Sequence, residues 1–377
     1  MNTQSKHHTS RELNADELEA FGRELDAIRA DVIADLGERD VEHIRNMIRV
    51  AQYSELAGRG LLHLGIGPLS FLAGTGALAT SKILENMEIG HNIMHGQYDW
   101  TGDPELDGNS YEWDIACTGD NWRHYHNYEH HTFTNILGKD RDIGYGAIRV
   151  SAEQPWHPGY LVQPVGALVL ASLFQWGVAM HDLRVEEVAD GTATPRELLE
   201  RSKPFLKKAG WQLAKDYAFF PLIAGLNAPR VFMGNLGANF TRNIWTFAVI
   251  FCGHFPEGVR VYQEEEVEDE TRGGWYLRQL QGSANFEGSR FMHILTGHLS
   301  HQIEHHMFPD IPAHRYPEIA PRVQSICERY GQRYHSGSFA SQLASTAKMV
   351  LRHALPSSPE RRRKADPVAY TPEYAAA

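Results

Sequence analysis

The chain writes one hexapeptide pattern twice, as His126-Asn127-Tyr128-Glu129-His130-His131 and His301-Gln302-Ile303-Glu304-His305-His306. Each runs histidine, amide residue, any residue, glutamate, histidine pair. A simpler cluster, His91-Asn92-Ile93-Met94-His95, precedes both. Imidazole is a good ligand for iron, copper and zinc, so a fold that gathers these segments collects eight imidazoles. That is too many for one metal ion and suits two. In a helix, residues four apart share a face, so His91 with His95, His126 with His130, and His301 with His305 can each grip one ion. The adjacent His131 or His306 lies about a quarter turn round and reaches a neighbouring ion or the opposite wall. Asn92 follows His91, which departs from the zinc-protease pattern, where a glutamate base stands.

The rest of the sequence says where such a cage sits. Leu61 to Ser81 and Gly159 to Met180 contain no Asp, Glu, Lys or Arg, and each has the roughly twenty-residue length of a membrane helix. From Tyr217 to Pro256 the only such charges are Arg230 and Arg242, with a full crossing expected near Val231 to Cys252. The mean hydropathy of −0.41 hides these blocks beneath long polar segments. If the second and third clusters share a site, an even number of crossings separates them. The short, proline-broken Tyr217 to Pro229 stretch is then the expected non-crossing element.

Residues 1–45 form a polar N-terminal segment, with Leu18, Phe21, Leu25, Ile28 and Ile33 at helix-like spacing. It is expected as a cytosolic helix, and Met1 to Asp40 has no apolar core of a signal peptide. Residues 46–340 are the membrane domain, and 341–377 a largely disordered basic tail carrying Arg361-Arg362-Arg363-Lys364. With 47 acidic against 36 basic residues, no surface for nucleic acid is expected. Cys117, Cys252 and Cys327 are too few and too scattered for a disulfide framework or a thiolate cage. His7-His8 and the acidic run Glu264 to Glu270 read as solvated surface.

The three clusters resemble the histidine boxes of membrane-bound fatty acid desaturases. Box one is His91 to His95, box two His126 to His131, and box three Gln302-Ile303-Glu304-His305-His306-Met307-Phe308-Pro309. The leader Asn86-Met87-Glu88-Ile89-Gly90 and the trailer Thr132-Phe133-Thr134-Asn135 also match, over residues from about 60 to 330. The resemblance implies an all-α integral membrane helical bundle with a cytosolic helical cap carrying a histidine-rich diiron site. Carried over, His91, His95, His126, His130, His131, His305 and His306 become iron ligands. Relatives place either Gln or His at the head of box three; His301 is the expected ligand here and Gln302 its neighbour. His254, after an apolar run, is placed to add one more imidazole, although a helix-end histidine also caps carbonyls. His298 is expected as an outer partner.

Ligating imidazoles usually donate their second N–H to a carboxylate or carbonyl, and Glu129 and Glu304 are the expected partners. Asp140 and Asp142 read better as surface charge. The resemblance implies two irons, dioxygen as co-substrate, a fatty acyl substrate held in an apolar tunnel, and a lipid bilayer; the absence of signal or retention sequences points to a bacterial cytoplasmic membrane. Trp100, Trp122 and Tyr125 are expected near the tunnel mouth or as interfacial anchors. Electrons are expected from an external ferredoxin, cytochrome b5 or flavoprotein reductase. Competing readings are a histidine-box hydroxylase of a lipid or hydrocarbon, a membrane metal transporter and a membrane zinc hydrolase.

Overall fold

The computed structural model describes residues 10–357. His7-His8 and the basic run from Arg361 to Lys364 therefore lie outside the described residues. Asn14 opens helix α1 (Ala15–Ala34) with a capping box closed by Glu17, and Phe21, Leu25, Ile28 and Val32 form its buried stripe. Ile33, expected on that stripe, is exposed, because the helical period after Ile28 falls on position 32. The chain breaks at Gly37, so the charged N-terminal region is two helices rather than one.

Helix α2 (Glu38–Leu64) turns back at Gly65, which is left-handed with φ 70°, into α3 (Gly67–Ile83). Leu61 to Ser81, expected as one crossing helix, is thus the tip and returning arm of a hairpin. The arms touch at glycine: a Cβ on Gly58 would lie 2.7 Å from Leu78 N and 2.9 Å from Gly74 O. Small residues are what allow helix backbones to approach this closely.

Helices α4 (Gln163–Ser172) and α5 (Phe174–His181) follow. The apolar stretch they share bends by 100° between Ser172 and Phe174. Asn243 holds the bend, donating to the Ser172 carbonyl at 2.9 Å and accepting from the Gln175 N–H at 3.4 Å. Gly159 to Met180 is therefore two short rods, not a straight one.

A second hairpin pairs α6 (Pro195–Ala214), extended by a π-helical turn Lys215–Phe219 and a short helix Phe220–Ile223, with α7 (Ala228–His254). The Tyr217 to Pro229 stretch, expected as an exception, packs along α7 as part of this arm. Asn227 Nδ2 donates to the His63 carbonyl at 2.7 Å, which ties the two hairpin tips together. Between the hairpins, Lys82 Nζ pairs with Asp216 Oδ2 at 2.8 Å, and Asn239 Nδ2 donates to the same carboxylate at 2.9 Å. Buried charges persist only when paired in this way.

Among the described residues no single helix is long and apolar enough to cross a membrane. Helix α7 has the length, but Asn235, Asn239, Arg242 and Asn243 interrupt its buried face. The hairpins' outer surface is apolar: Leu56, Leu69, Leu72, Leu222 and Leu226 all stand exposed, as does Leu168 on α4.

The hairpin bases carry a cap. It comprises α8 (Arg272–Gln281), α9 (Gln302–Met307), α10 (Tyr316–Arg329) and a parallel strand pair, β1 (Asn285–Glu287) with β2 (Ser336–Ser338). The α1 stripe packs here on Tyr276, Ile303, Phe308 and Val323. The last helix, α11 (Phe339–His353), packs on α4 and α7. The expected disordered tail thus does not begin at residue 341, since 341–353 are helical.

Candidate metal centre

All three histidine clusters meet where the hairpins enter the cap. His91 and the π-helical turn Leu84–His91 continue α3, and box two rides on a second π-helical turn, Arg123–His130. The π turn is rare and frequent at functional sites; nothing in the residue pattern had marked it. Ring nitrogens of His91, His95, His126 and His305 lie within 4.8 Å of one another, and so do those of His130, His254 and His306. His131 joins the two sets. Its ring stacks on His306 at 4.4 Å and stands 4.7 Å from His95 and 4.8 Å from His305.

The ring nitrogens behave as ligands would. Nε2 of His91, His95, His126 and His305, and both nitrogens of His131, are buried and make no hydrogen bond within the described residues. His254 Nε2 and His306 Nε2 face each other at 3.2 Å. Burial, reinforced by the neighbouring imidazoles, pushes His95, His131, His305 and His306 well below the ordinary histidine range, and His91 to about 3. Neutral imidazole is the metal-binding form. Unpartnered buried nitrogens cost free energy, so a cage of them fits cations.

The opposite ring nitrogens are tied down. His91 Nδ1 meets Asn92 Oδ1 at 3.0 Å, His130 Nδ1 meets Asp140 Oδ1 at 3.0 Å, and His306 Nδ1 meets Gln279 Oε1 at 3.0 Å. Burial opposes charge on His130, but Asp140 and Asp142 together outweigh it and raise the pKa. Asp140, expected as surface charge, is 4% exposed. It is placed by the tight turn after box two, where Asn135 is left-handed and its N–H donates to Asp140 at 2.7 Å. Asp142 lies 3.6 Å from His126 Nδ1. Gln279 comes from α8, and no spacing rule could have linked it to box three.

Other expected residues fall elsewhere. His301 does not join the cage: its Nδ1 faces Ser300 Oγ at 3.2 Å and its ring packs on His293. The reason is local. His298 is left-handed (φ 58°), a 3-10 turn spans Leu299–His301, and the α-helix starts only at Gln302. The expected i, i+4 relation between His301 and His305 therefore fails. Gln302 points inward instead, with Nε2 3.0 Å from His254 Nε2.

His298 bonds Glu88 at 2.9 Å, and His43 bonds the same carboxylate. Glu129 turns outward to pair with Arg184. Glu304 accepts from Asn285 Nδ2 at 2.8 Å and from the Tyr334 hydroxyl at 2.7 Å, so it fixes α9 rather than an imidazole. Trp122 stacks on His126 at 4.5 Å. Trp100 is 43% exposed, and Tyr125 lies under Arg184.

A cavity opens beside the cage. His91, His126, His130, His254 and Gln302 form one side; Met87, Trp113, Ile115, Phe174, Val178, Ile250 and Phe255 supply most of the rest, with Asn86, Asp142, Gln175, Asn243 and Thr246 among them. Fold and site together define a helical protein whose imidazole cage has the donor set to hold metal and faces a largely apolar cavity.

Comparison with known proteins gives the particular family. A family model described as fatty acid desaturase matches residues 66–338. The NADPH-dependent stearoyl-CoA 9-desaturase of Mycobacterium tuberculosis is 42% identical over 344 residues, covering 90% of this chain and 81% of the relative. The sn-1 linoleoyl-lipid 6-desaturase of Synechocystis is 29% identical over 275 residues, 70% of this chain and 74% of the relative. Human fatty acid desaturase 3 is 25% identical over 238 residues, 61% and 49%. The chain belongs to the fatty acid desaturase family, oxidoreductases that act on acyl chains.

Proposed function

We propose that this chain is an integral-membrane desaturase that binds two iron ions in the histidine cage and acts on a saturated fatty acyl-CoA at the 9-position. The observation that carries the reading is a double set of converging imidazoles, with Nε2 of His91, His95, His126 and His305 making no hydrogen bond within the described residues, on the wall of a largely apolar cavity. His91, His95, His126 and His305 would hold one ion, and His130, His254 and His306 the other. His131 stands between them and Gln302 beside His254. Iron bound there would supply the O2-dependent oxidising power that an unactivated methylene requires.

The chain's own residues do the rest. Phe174, Val178 and Ile250 give the pocket an apolar wall, against which an acyl chain would rest with one methylene pair near the cage. Asp140, Asn92 and Gln279 fix which imidazole nitrogen faces inward. The stearoyl-CoA relative is NADPH-dependent by name. An external ferredoxin, cytochrome b5 or flavoprotein reductase remains the expected electron source. The exposed leucines of both hairpins support insertion in a bilayer, which would cover side chains that water otherwise meets. With the hairpins in the bacterial cytoplasmic membrane, the charged cap faces the cytosol, where acyl-CoA and reductant are found.

The deciding experiment expresses the chain in a host lacking its own desaturase, profiles the fatty acids and measures metal in the detergent-purified protein. A new double bond and about two irons per chain are expected. A hydroxylated product would replace desaturation with hydroxylation. Zinc alone at one per chain would sink the diiron reading.

A further inference from the structure

Trp122 packs on three imidazoles of the cage, with centroids 4.5 Å from His126, 5.2 Å from His95 and 5.4 Å from His91. Behind it Trp113 follows at 5.1 Å, its indole N–H donating to the Cys117 carbonyl at 2.9 Å. Tyr111 packs on the same buried cluster, and its phenol donates to Glu85 Oε1 at 3.0 Å. Ser110 and Glu112, on either side of Tyr111, are exposed. An oxidisable path therefore runs from the cage to the protein's edge.

We propose that Trp122, Trp113 and Tyr111 form a protective electron relay, which supplies electrons to the cage when an oxidant arises there with no acyl chain in reach. The proposal rests on the iron-cage reading above. An oxidant strong enough for a methylene C–H also oxidises indole. Trp122 and Trp113 line the acyl cavity, so they are among the groups most exposed to attack when the cavity holds no substrate. A phenol hydrogen-bonded to a carboxylate gives up its electron readily, because its proton has somewhere to go.

The vacancy left in Trp122 is filled from Trp113, and that in Trp113 from Tyr111, whose proton passes to Glu85. A thiol in solution then restores Tyr111. Two passes complete the balance. Dioxygen, two donor electrons, two protons and two thiols give two waters and one disulfide. Electron entry from the redox partner by this route is excluded, since donors of that class do not reduce a neutral tyrosine. Packing alone does not explain Tyr111, because a phenylalanine there would fill the same space without burying a phenol–carboxylate pair.

The test supplies iron-loaded protein with reductant and O2 but no acyl-CoA, then maps oxidised residues by peptide mass spectrometry and traps radicals by freeze-quench EPR. Wild type is expected to show a tyrosyl signal, which ring-deuterated tyrosine narrows, and little tryptophan oxidation. Tyr111→Phe removes that signal and raises hydroxytryptophan and kynurenine at Trp113 and Trp122 severalfold. Glu85→Gln, which keeps the hydrogen-bond acceptor but not the base, gives an intermediate pattern. Desaturation with acyl-CoA present stays at the wild-type rate in Tyr111→Phe. O2 uptake with the same oxidation pattern in wild type and Tyr111→Phe, or with Met87 as the main product, overturns the relay alone. No O2 uptake by iron-supplied protein overturns the cage reading and the relay with it.

Discussion

His130 Nδ1 lies 3.0 Å from Asp140 Oδ1, and both side chains are buried. Ten residues apart in sequence, they meet because the chain doubles back directly after box two. The carboxylate fixes the ring so that Nε2 faces the cage, and it raises the basicity of that nitrogen. Asp140→Asn keeps the shape and removes the charge. Loss of such partners typically costs about 10- to 100-fold in metal affinity, and a competitive chelator titration followed by metal analysis measures it. Wild-type affinity in Asp140→Asn would show that the contact is incidental.

His301 and Gln302 make opposite predictions from adjacent positions. His301 is turned to His293 and Ser300, so His301→Gln should retain full iron content. Gln302 touches His254, and Gln302→Leu should perturb the metal's optical or Mössbauer spectrum without unfolding the protein. The reverse outcome, iron lost with His301 and spectrum kept with Gln302→Leu, would restore the reading made from spacing.

That pair also marks how far the sequence could be read. Imidazoles within one box share a local helix, so their spacing exposes them, and His91, His95, His126, His130, His131, His305 and His306 are found together in the structure. His254 joined them from the end of an apolar run. What failed needed backbone detail or a distant element. The left-handed turn at His298 displaced His301. The turn at Asn135 brought in Asp140, and α8 delivered Gln279. The glutamates of the repeated hexapeptide were misread, because Glu129 leaves the cage for Arg184 and Glu304 serves Asn285 and Tyr334. The apolar blocks were seen but not their bends, since Gly65 and the Ser172–Phe174 break decide hairpins that hydropathy cannot resolve.

The first hairpin depends on Gly58. A Cβ there meets backbone of α3 at 2.7 and 2.9 Å, and neither atom can move without moving the helix. Gly58→Val is expected to destabilise the protein by about 1–3 kcal/mol, the usual cost of overpacking. Thermal unfolding in detergent reads the loss. Gly60, whose Cβ would meet nothing within 4 Å, is the control, and Gly60→Val should leave the midpoint unchanged or slightly raise it, since glycine is the poorer residue inside a helix. Equal shifts in both variants would mean that helix propensity, not the close approach, is being measured.

Asp182, at the end of α5, accepts from Cys117 Sγ at 2.9 Å, and burial pushes its carboxyl up to about 7. The folded state therefore binds a proton more tightly than the unfolded chain, in which an aspartate titrates near 3.9. By linkage, this contribution is fully present below the unfolded value and is lost as pH rises through about 7. Asp182→Asn mimics the protonated side chain at every pH. Wild type and variant should thus match in stability near pH 4, and the variant should become the more stable by a few kcal/mol by pH 8. Melting temperatures across that range decide it, each compared at the same metal loading because bound metal adds stability of its own. Parallel curves would mean that Asp182 stays ionised in the fold, with the nearby Arg141 guanidinium offsetting its burial.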